Sequence, residues 1–135
     1  MSTPFKVKII TPDRNFFDDE TEQLIVRTTE GDVGILANHV SYVATLPVGL
    51  LKVKQADGNF KIAAVSGGMI KVSKEKTTII ATAVEWADEI DVEWAHRSEE
   101  DARERLKAHN SGVEFERANL KLKRAINRIN ISSMK

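Results

Sequence analysis

The sequence predicts an α+β protein with segregated parts: an antiparallel β-sandwich over residues 1–87, then a two-helix antiparallel hairpin over residues 88–135. Three observations carry this. All three prolines and six of the seven glycines lie before residue 69, where turns between short strands need them. Residues 1–87 hold ten acids and ten bases, and residues 88–135 hold the same numbers in about half the length. The apolar period also changes, from two near the start to three and four near the end.

The elements follow in order. Phe5, Val7 and Ile9 alternate with Lys6 and Lys8, the pattern of a half-buried strand. An acidic turn comes next. Further β-type runs occupy 23–28, 40–46, 50–54, 60–65, 69–72 and 77–82. Turn signals stand at Glu30-Gly31, 47–49, Asp57-Gly58-Asn59 and Lys74-Glu75-Lys76. Many short strands at near-regular spacing argue for a sandwich or flattened barrel, and no βαβ alternation points to a parallel nucleotide-binding sheet. Asp91 caps a first helix reaching Ala108, and His109-Asn110-Ser111-Gly112 stops it. A second helix covers 113–130, with Phe115, Ala118, Leu122, Ala125 and Ile129 in one narrow stripe. The first helix has a weaker stripe of Ala95, Ala102 and Leu106, interrupted by Glu99.

Charge is sorted between the helices. Residues 88–106 carry eight acids against three bases, and residues 107–135 carry two acids against seven bases. An antiparallel hairpin therefore sets an acidic helix against a basic one. Each helix is about 27 Å long at roughly 1.5 Å per residue. Two slim, Ala-rich helices bury little, so the hairpin is marginal alone and leans on its own sandwich or on a partner. A marginal element with two available surfaces is what a conformational switch requires.

Composition removes several function classes. Twenty basic and twenty acidic side chains cancel, which argues against capture by nucleic acid or anionic lipid. Cysteine is absent, which excludes thiolate nucleophiles and Cys-based zinc sites. No apolar run approaches the roughly 18 residues of a membrane span, and the start of the chain lacks the apolar core of a signal peptide. The reading is an intracellular soluble protein whose membrane association is indirect.

No catalytic constellation emerges. His39, His96 and His109 are far apart and in no metal-ligand spacing. Ser66-Gly67-Gly68 is too short to cradle a phosphate and reads as a turn between strands. His39 reads as a surface-loop residue. Arg117, Lys121, Arg124 and Arg128 fall at i, i+4, i+7 and i+11, one row beside the apolar stripe. Two accounts of that row stand. It serves the helix dipole and pairs with the acidic helix, or it docks an acidic protein segment or phosphate groups. Trp94, on a helix of charged and small residues, is either a packing anchor or an exposed stacking surface.

Two motifs, Gly31-Asp32-Val33-Gly34-Ile35-Leu36 with His39 shortly after, and Ala64-Val65-Ser66-Gly67-Gly68, together resemble the epsilon subunit of bacterial F-type ATP synthases. The opening run from Lys6 to Pro12 and the ending from Ala118 to Arg128 fit the same family. Members commonly have Pro-Gly where Ala37-Asn38 stand here. The resemblance implies a ten-stranded sandwich and a C-terminal hairpin in a non-catalytic subunit of the proton-translocating enzyme. It implies binding to the gamma subunit, contact with the ring of c subunits, and peripheral location at the cytoplasmic face of the bacterial membrane. The hairpin is expected to fold down or to extend towards the alpha and beta subunits and block ATP hydrolysis. By match to family positions, Asp32 and His39 look like the loop facing the c ring. Likewise Arg117, Lys121, Arg124 and Arg128 look like the basic face that meets beta.

Some members bind ATP on the folded hairpin through Ile/Leu-Asp-x-x-Arg-Ala. Here the segment is Ile90-Asp91-Val92-Glu93-Trp94-Ala95. Ile90, Asp91 and Ala95 match, Arg124 and Arg128 match basic residues of the second helix, and Trp94 replaces the arginine. The exchange removes a cation and its fork of donors, so the resemblance implies ATP as a regulatory ligand with a weakened site, and no required cofactor or metal. Two other readings compete with the stalk subunit: a stand-alone protein-binding adaptor, and a small enzyme using Asp91, Arg124 and Arg128 on a phosphorylated substrate.

Overall fold

The computed structural model describes residues 3–134; Met1, Ser2 and Lys135, the outermost residues of the two predicted domains, lie outside the described residues. The strands are β1 (Phe5–Ile10), β2 (Asn15–Thr21), β3 (Leu24–Thr28), β4 (Gly31–Ile35), β5 (Tyr42–Lys54), β6 (Phe60–Val72), β7 (Lys76–Ala81) and β8 (Val84–Trp86). A 3-10 turn at Ala87–Glu89 leads into α1 (Val92–Ala108) and α2 (Gly112–Ser132).

The strands hydrogen-bond in the order β2-β1-β7-β6-β5-β3-β4, with β8 also on β6. Neighbours are antiparallel except β1 and β7, which run parallel. These two are separated by most of the sheet's sequence, so no tight turn dictates their direction. Every strand but β2 sends buried apolar side chains into one core: Val7, Ile9, Leu24, Val26, Ile35, Leu46, Leu51, Val53, Ala63, Val65, Ile70, Val72, Ile79, Ala81 and Val84, and Phe16 and Phe17 of β2 pack against it partly buried. Strands from the two ends of the order meet in that core, so the sheet folds over on itself into two layers.

Two expected turns are not turns. The segment 47–49 lies inside β5 and Ser66-Gly67-Gly68 lies inside β6. The ladder skips the Pro47 position, since Leu46 faces Gly68 and Val48 faces Ser66 with no pair between them. Proline has no amide hydrogen to give, and Gly67 opposite has φ +101°. The result is a bend, not a reversal. At that bend β6 exchanges one neighbour for another: Ala63–Val65 face β8, whereas Gly68 to Val72 face β7. The structure has eight strands where the resemblance implies ten, because β5 and β6 each run unbroken through the bend for thirteen residues. Gly68 is required there. A Cβ would sit 2.2 Å from the Ile80 carbonyl oxygen and 2.7 Å from the Ala81 Cα.

Three strands were not foreseen. The run read as an acidic turn is β2, in register with β1 so that Glu20 faces Lys6 and Asp18 faces Lys8. Opposite charges on facing strands stabilise a pairing that apolar periodicity does not reveal. The Gly31-to-Ile35 motif is β4, and Val84–Trp86 is β8. The expected strand at 40 begins at Tyr42.

Helix α1 begins as expected: the Asp91 carboxylate accepts the Trp94 amide at 3.0 Å, satisfying one of the unpaired N–H groups of the first turn. The helices meet through small side chains, Ala95, Ser98 and Ala102 against Ala118 and Ala125, all buried. The α1 seam runs through Ser98, not Glu99, which turns out to hydrogen-bond Arg103. The expected acidic-against-basic pairing is mostly absent. Charges pair within each helix, as Glu99–Arg103, Asp101–Arg105, Glu104–Lys107 and Glu114–Arg117. One ion pair, Lys121–Asp101, crosses the hairpin among the described residues.

The hairpin lies on its own sandwich. A second apolar cluster joins Leu50 and Ala64 of the sheet to Ala87, Ile90 and Ile131. The Asn127 side-chain amide also donates to the Gly49 carbonyl at 2.9 Å. Helix α2 runs to Ser132, past the expected end at 130, and this extra length seats Ile131 against the sheet.

Candidate functional site

The basic row of α2 is now placed residue by residue. Arg117, near the hairpin tip, is exposed and pairs with Glu114 at 3.5 Å. Lys121 pairs with Asp101 of α1, and its hydrogen bond holds the Asp101 carboxyl below the ordinary carboxylate range. Arg128 reaches Glu85 on β8, Nε to Oε1 at 2.5 Å. Arg124 is half-buried, and its Nε is enclosed without a hydrogen-bond partner among the described residues. Thus Lys121 does pair with the acidic helix, whereas Arg128 pairs with the sandwich and Arg117 with its own turn.

The start of α1 lies beside the end of α2. There the Arg128 guanidinium sits over the Trp94 ring, 5.2 Å from its centroid. Trp94 is 49% exposed. Of the two readings of this residue, the stacking one is observed, and its partner is internal. Arg128 therefore touches β8 through Glu85 and α1 through Trp94. The Nε and Oε1 atoms of that ion pair are buried but not aligned as a hydrogen bond.

The predicted nucleotide residues are divided. Asp91, Trp94 and Arg128 converge at this corner, with Asp91 occupied in capping α1. Ile90 and Ala95 are buried, Ile90 in the cluster against the sandwich and Ala95 in the seam between helices. Their side chains serve packing in this arrangement.

At the sandwich, Asp32 lies within β4 and not in the loop that the family position implies. It faces Arg27 on β3 and accepts its Nε at 2.9 Å. That hydrogen bond holds the Asp32 carboxyl below its ordinary value against a small opposing effect of burial. His39 does lie in the loop after β4. Its Nδ1 is 2.8 Å from the Val40 carbonyl, so Nδ1 carries the proton, and its ring meets Tyr42 edge-on at 6.1 Å. Asn38 in that loop has φ +63°, a left-handed conformation that asparagine tolerates where glycine is common.

Sequence reasoning missed Glu85, Asn127 and Ile131. Glu85 had no local signal, because its partner Arg128 is distant in the chain. Ile131 stood beyond the predicted helix end. Among the described residues no group of three or more His, Asp or Glu side chains is placed to hold a metal ion, and no helix is long and apolar enough to cross a membrane.

Comparison with known proteins matches both parts. Residues 4–87 fit the family "ATP synthase, Delta/Epsilon chain, beta-sandwich domain", and residues 88–133 fit the "long alpha-helix domain" of the same chain. The ATP synthase epsilon chain of Ruminococcus albus is 46% identical over 132 residues, 97% of this chain and 98% of that one. The epsilon chain of Alkaliphilus metalliredigens is 42% identical over the full length of both. A chain in the Euglena gracilis mitochondrial ATP synthase shares the fold, with TM-score 0.83 at 20% identity, over 100% of this chain and 84% of that one. With both domain models matched in sequence and full-length relatives above 40% identity, this chain belongs to the delta/epsilon chain family of ATP synthase.

Proposed function

We propose that the chain works in the central stalk of a bacterial F-type ATP synthase, with its sandwich bound to the gamma subunit and the c ring. The hairpin then regulates ATP hydrolysis at the alpha and beta subunits, and the chain is peripheral at the cytoplasmic membrane face through the complex alone. The observation that carries this reading is how the hairpin is held. One small apolar cluster, one side-chain hydrogen bond and the Arg128–Glu85 ion pair fix it to the sandwich, while Lys121 is neutralised within the hairpin. Undocking exposes the basic row to an acidic partner, where desolvated charge pairs count for a few kcal/mol. The sandwich offers a separate surface for gamma: Met69 faces Ile80, Ile80 faces Ile10, and the first two are more than half exposed.

ATP fits the corner at Trp94 incompletely. Arg124 has a buried donor without a partner, which suits an anion. Arg128 is already engaged by Glu85 and Trp94, and position 94 supplies no cation. A charged hydrogen bond contributes roughly 1.5–3 kcal/mol. The Trp94→Arg variant is therefore expected to bind ATP about ten- to hundredfold more tightly than the parent in calorimetric titration.

Reconstitution into an ATPase lacking its epsilon subunit tests the main reading. The chain is expected to co-assemble and lower the hydrolysis rate. The variant with Arg117, Lys121, Arg124 and Arg128 all changed to Ala is expected to co-assemble without lowering it. Failure of the parent to assemble would leave a stand-alone adaptor. Equal inhibition by both would reduce the row to a solvated face.

A further inference from the structure

The corner formed by Glu85, Trp94 and Arg128 joins three elements that no other polar contact brings together among the described residues: β8 of the sandwich, the first turn of α1 and the last turns of α2. We propose that it is a latch holding the hairpin on the sandwich without any ligand, with Trp94 as the residue that completes it. This rests on the reading of the hairpin as a mobile regulatory element.

Arg128 is the centre of the latch. Its side chain is 20% exposed, so leaving it unpaired there is costly. Glu85 offsets its charge from the sheet side, Nε to Oε1 at 2.5 Å. Trp94 covers the guanidinium from the α1 side, 5.2 Å from the ring centroid. A flat cation over an indole face is attracted by the ring quadrupole, more strongly when water is partly excluded. Trp94 has no comparable role in the core, since it is half exposed and stands outside both apolar clusters. The buried Nε of Arg128 lacks an aligned acceptor, so the ring face and the nearby carboxylate are its main compensation. Removing either weakens the docked state but leaves the sandwich core and the Ala seam of the hairpin untouched.

The test is a distance measurement on the full chain. Because the protein has no cysteine, Lys74→Cys and Lys107→Cys, both at exposed positions, accept a donor and acceptor dye. Single-molecule energy transfer then gives the ratio of undocked to docked molecules in nucleotide-free buffer. Trp94→Leu keeps apolar bulk and loses the quadrupole; it is expected to raise that ratio about tenfold, the loss of one well-placed cation–π contact. Glu85→Gln is expected to raise it by a similar factor. Trp94→Phe, which keeps a ring face, should stay within about threefold of the parent. Two populations whose ratio is the same in parent, Trp94→Leu and Glu85→Gln would overturn the latch alone. An equal rise in Trp94→Phe and Trp94→Leu would also overturn it, because the ring face would then count for nothing. A single docked population in every variant would overturn the mobile hairpin, and the latch with it.

Discussion

Replacing Ile131 by Ala removes the α2 side chain that is buried in the apolar cluster between hairpin and sandwich. Ile131 is 1% exposed and packs in a cluster whose other members are Leu50, Ala64, Ala87 and Ile90. Two of these are alanines that cannot move to fill the space. Truncating a buried isoleucine costs about 2–5 kcal/mol, near the upper end where the surroundings cannot collapse. Alanine is also the better helix former, so any loosening of α2 arises from lost docking and not from lost helix propensity. A cost of about 2–4 kcal/mol raises the undocked fraction roughly 30- to 800-fold. The sandwich core includes no residue beyond Trp86, so it should not share in the loss.

Native-state hydrogen exchange reads this element by element. The amides of the C-terminal half of α2 are expected to exchange faster by that factor. Those in the middle of β6, where Ile70 and Val65 lie in the core, should change by less than about threefold. Equal acceleration in α2 and β6 would mean that hairpin and sandwich open as one unit. Unchanged exchange in α2 would mean that Ile131 does not anchor it. Either result refutes the reasoning.

The other predictions follow from single features. Deleting residues 88–135 leaves all the residues of the main core in place, and the truncated chain should keep β-type circular dichroism and a cooperative melt. Gly68→Ala forces a Cβ against the backbone of β7 and should lower stability by about 3 kcal/mol or more, read from the denaturant midpoint. The carboxyl of Asp101 is held below its ordinary value by Lys121. A lowered folded-state value means that its stabilising effect is present above the unfolded pKa and is lost as pH falls through the folded one. Helical signal should therefore decline in acid below the ordinary carboxylate value of 3.8, and Asp101→Asn should flatten that decline.

What was legible in the sequence was local. The Asp91 cap needs only its own carboxylate and an amide three residues on. The Ala stripe of α2 needs only helical spacing. The Asp57-Gly58-Asn59 turn needs only one side chain, whose carboxylate accepts the Asn59 amide, and a glycine at φ +91°. What failed was set by distant partners. Pro47 and Gly67 signal reversal locally, yet each faces the other's strand and together they make a bend. The acidic residues of β2 look like a turn until Lys6 and Lys8 stand opposite them. The same holds at the site: Arg124 and Arg128 were found by spacing, whereas Glu85 gained its role only when β8 was brought beside α2.

The two surfaces of the hairpin differ in what they can sustain. The seam between α1 and α2 is made of Ala95, Ser98, Ala102, Ala118 and Ala125. Burying four methyl groups stabilises by about 3 kcal/mol, at roughly 0.8 kcal/mol each. Ordering the backbone of two helices costs far more than that, and their internal hydrogen bonds return only part of it. The seam therefore depends on the sheet through Ile90 and Ile131. A hairpin that leaves the sandwich in free solution should lose helix as it goes. For the helices to stay folded while undocked, another surface has to replace Leu50 and Ala64 and offer acid to Arg128, which leaves Glu85 behind on the sandwich. A partner able to do both sets the undocked population by its own affinity, while the contacts to the sandwich set how tightly it must bind.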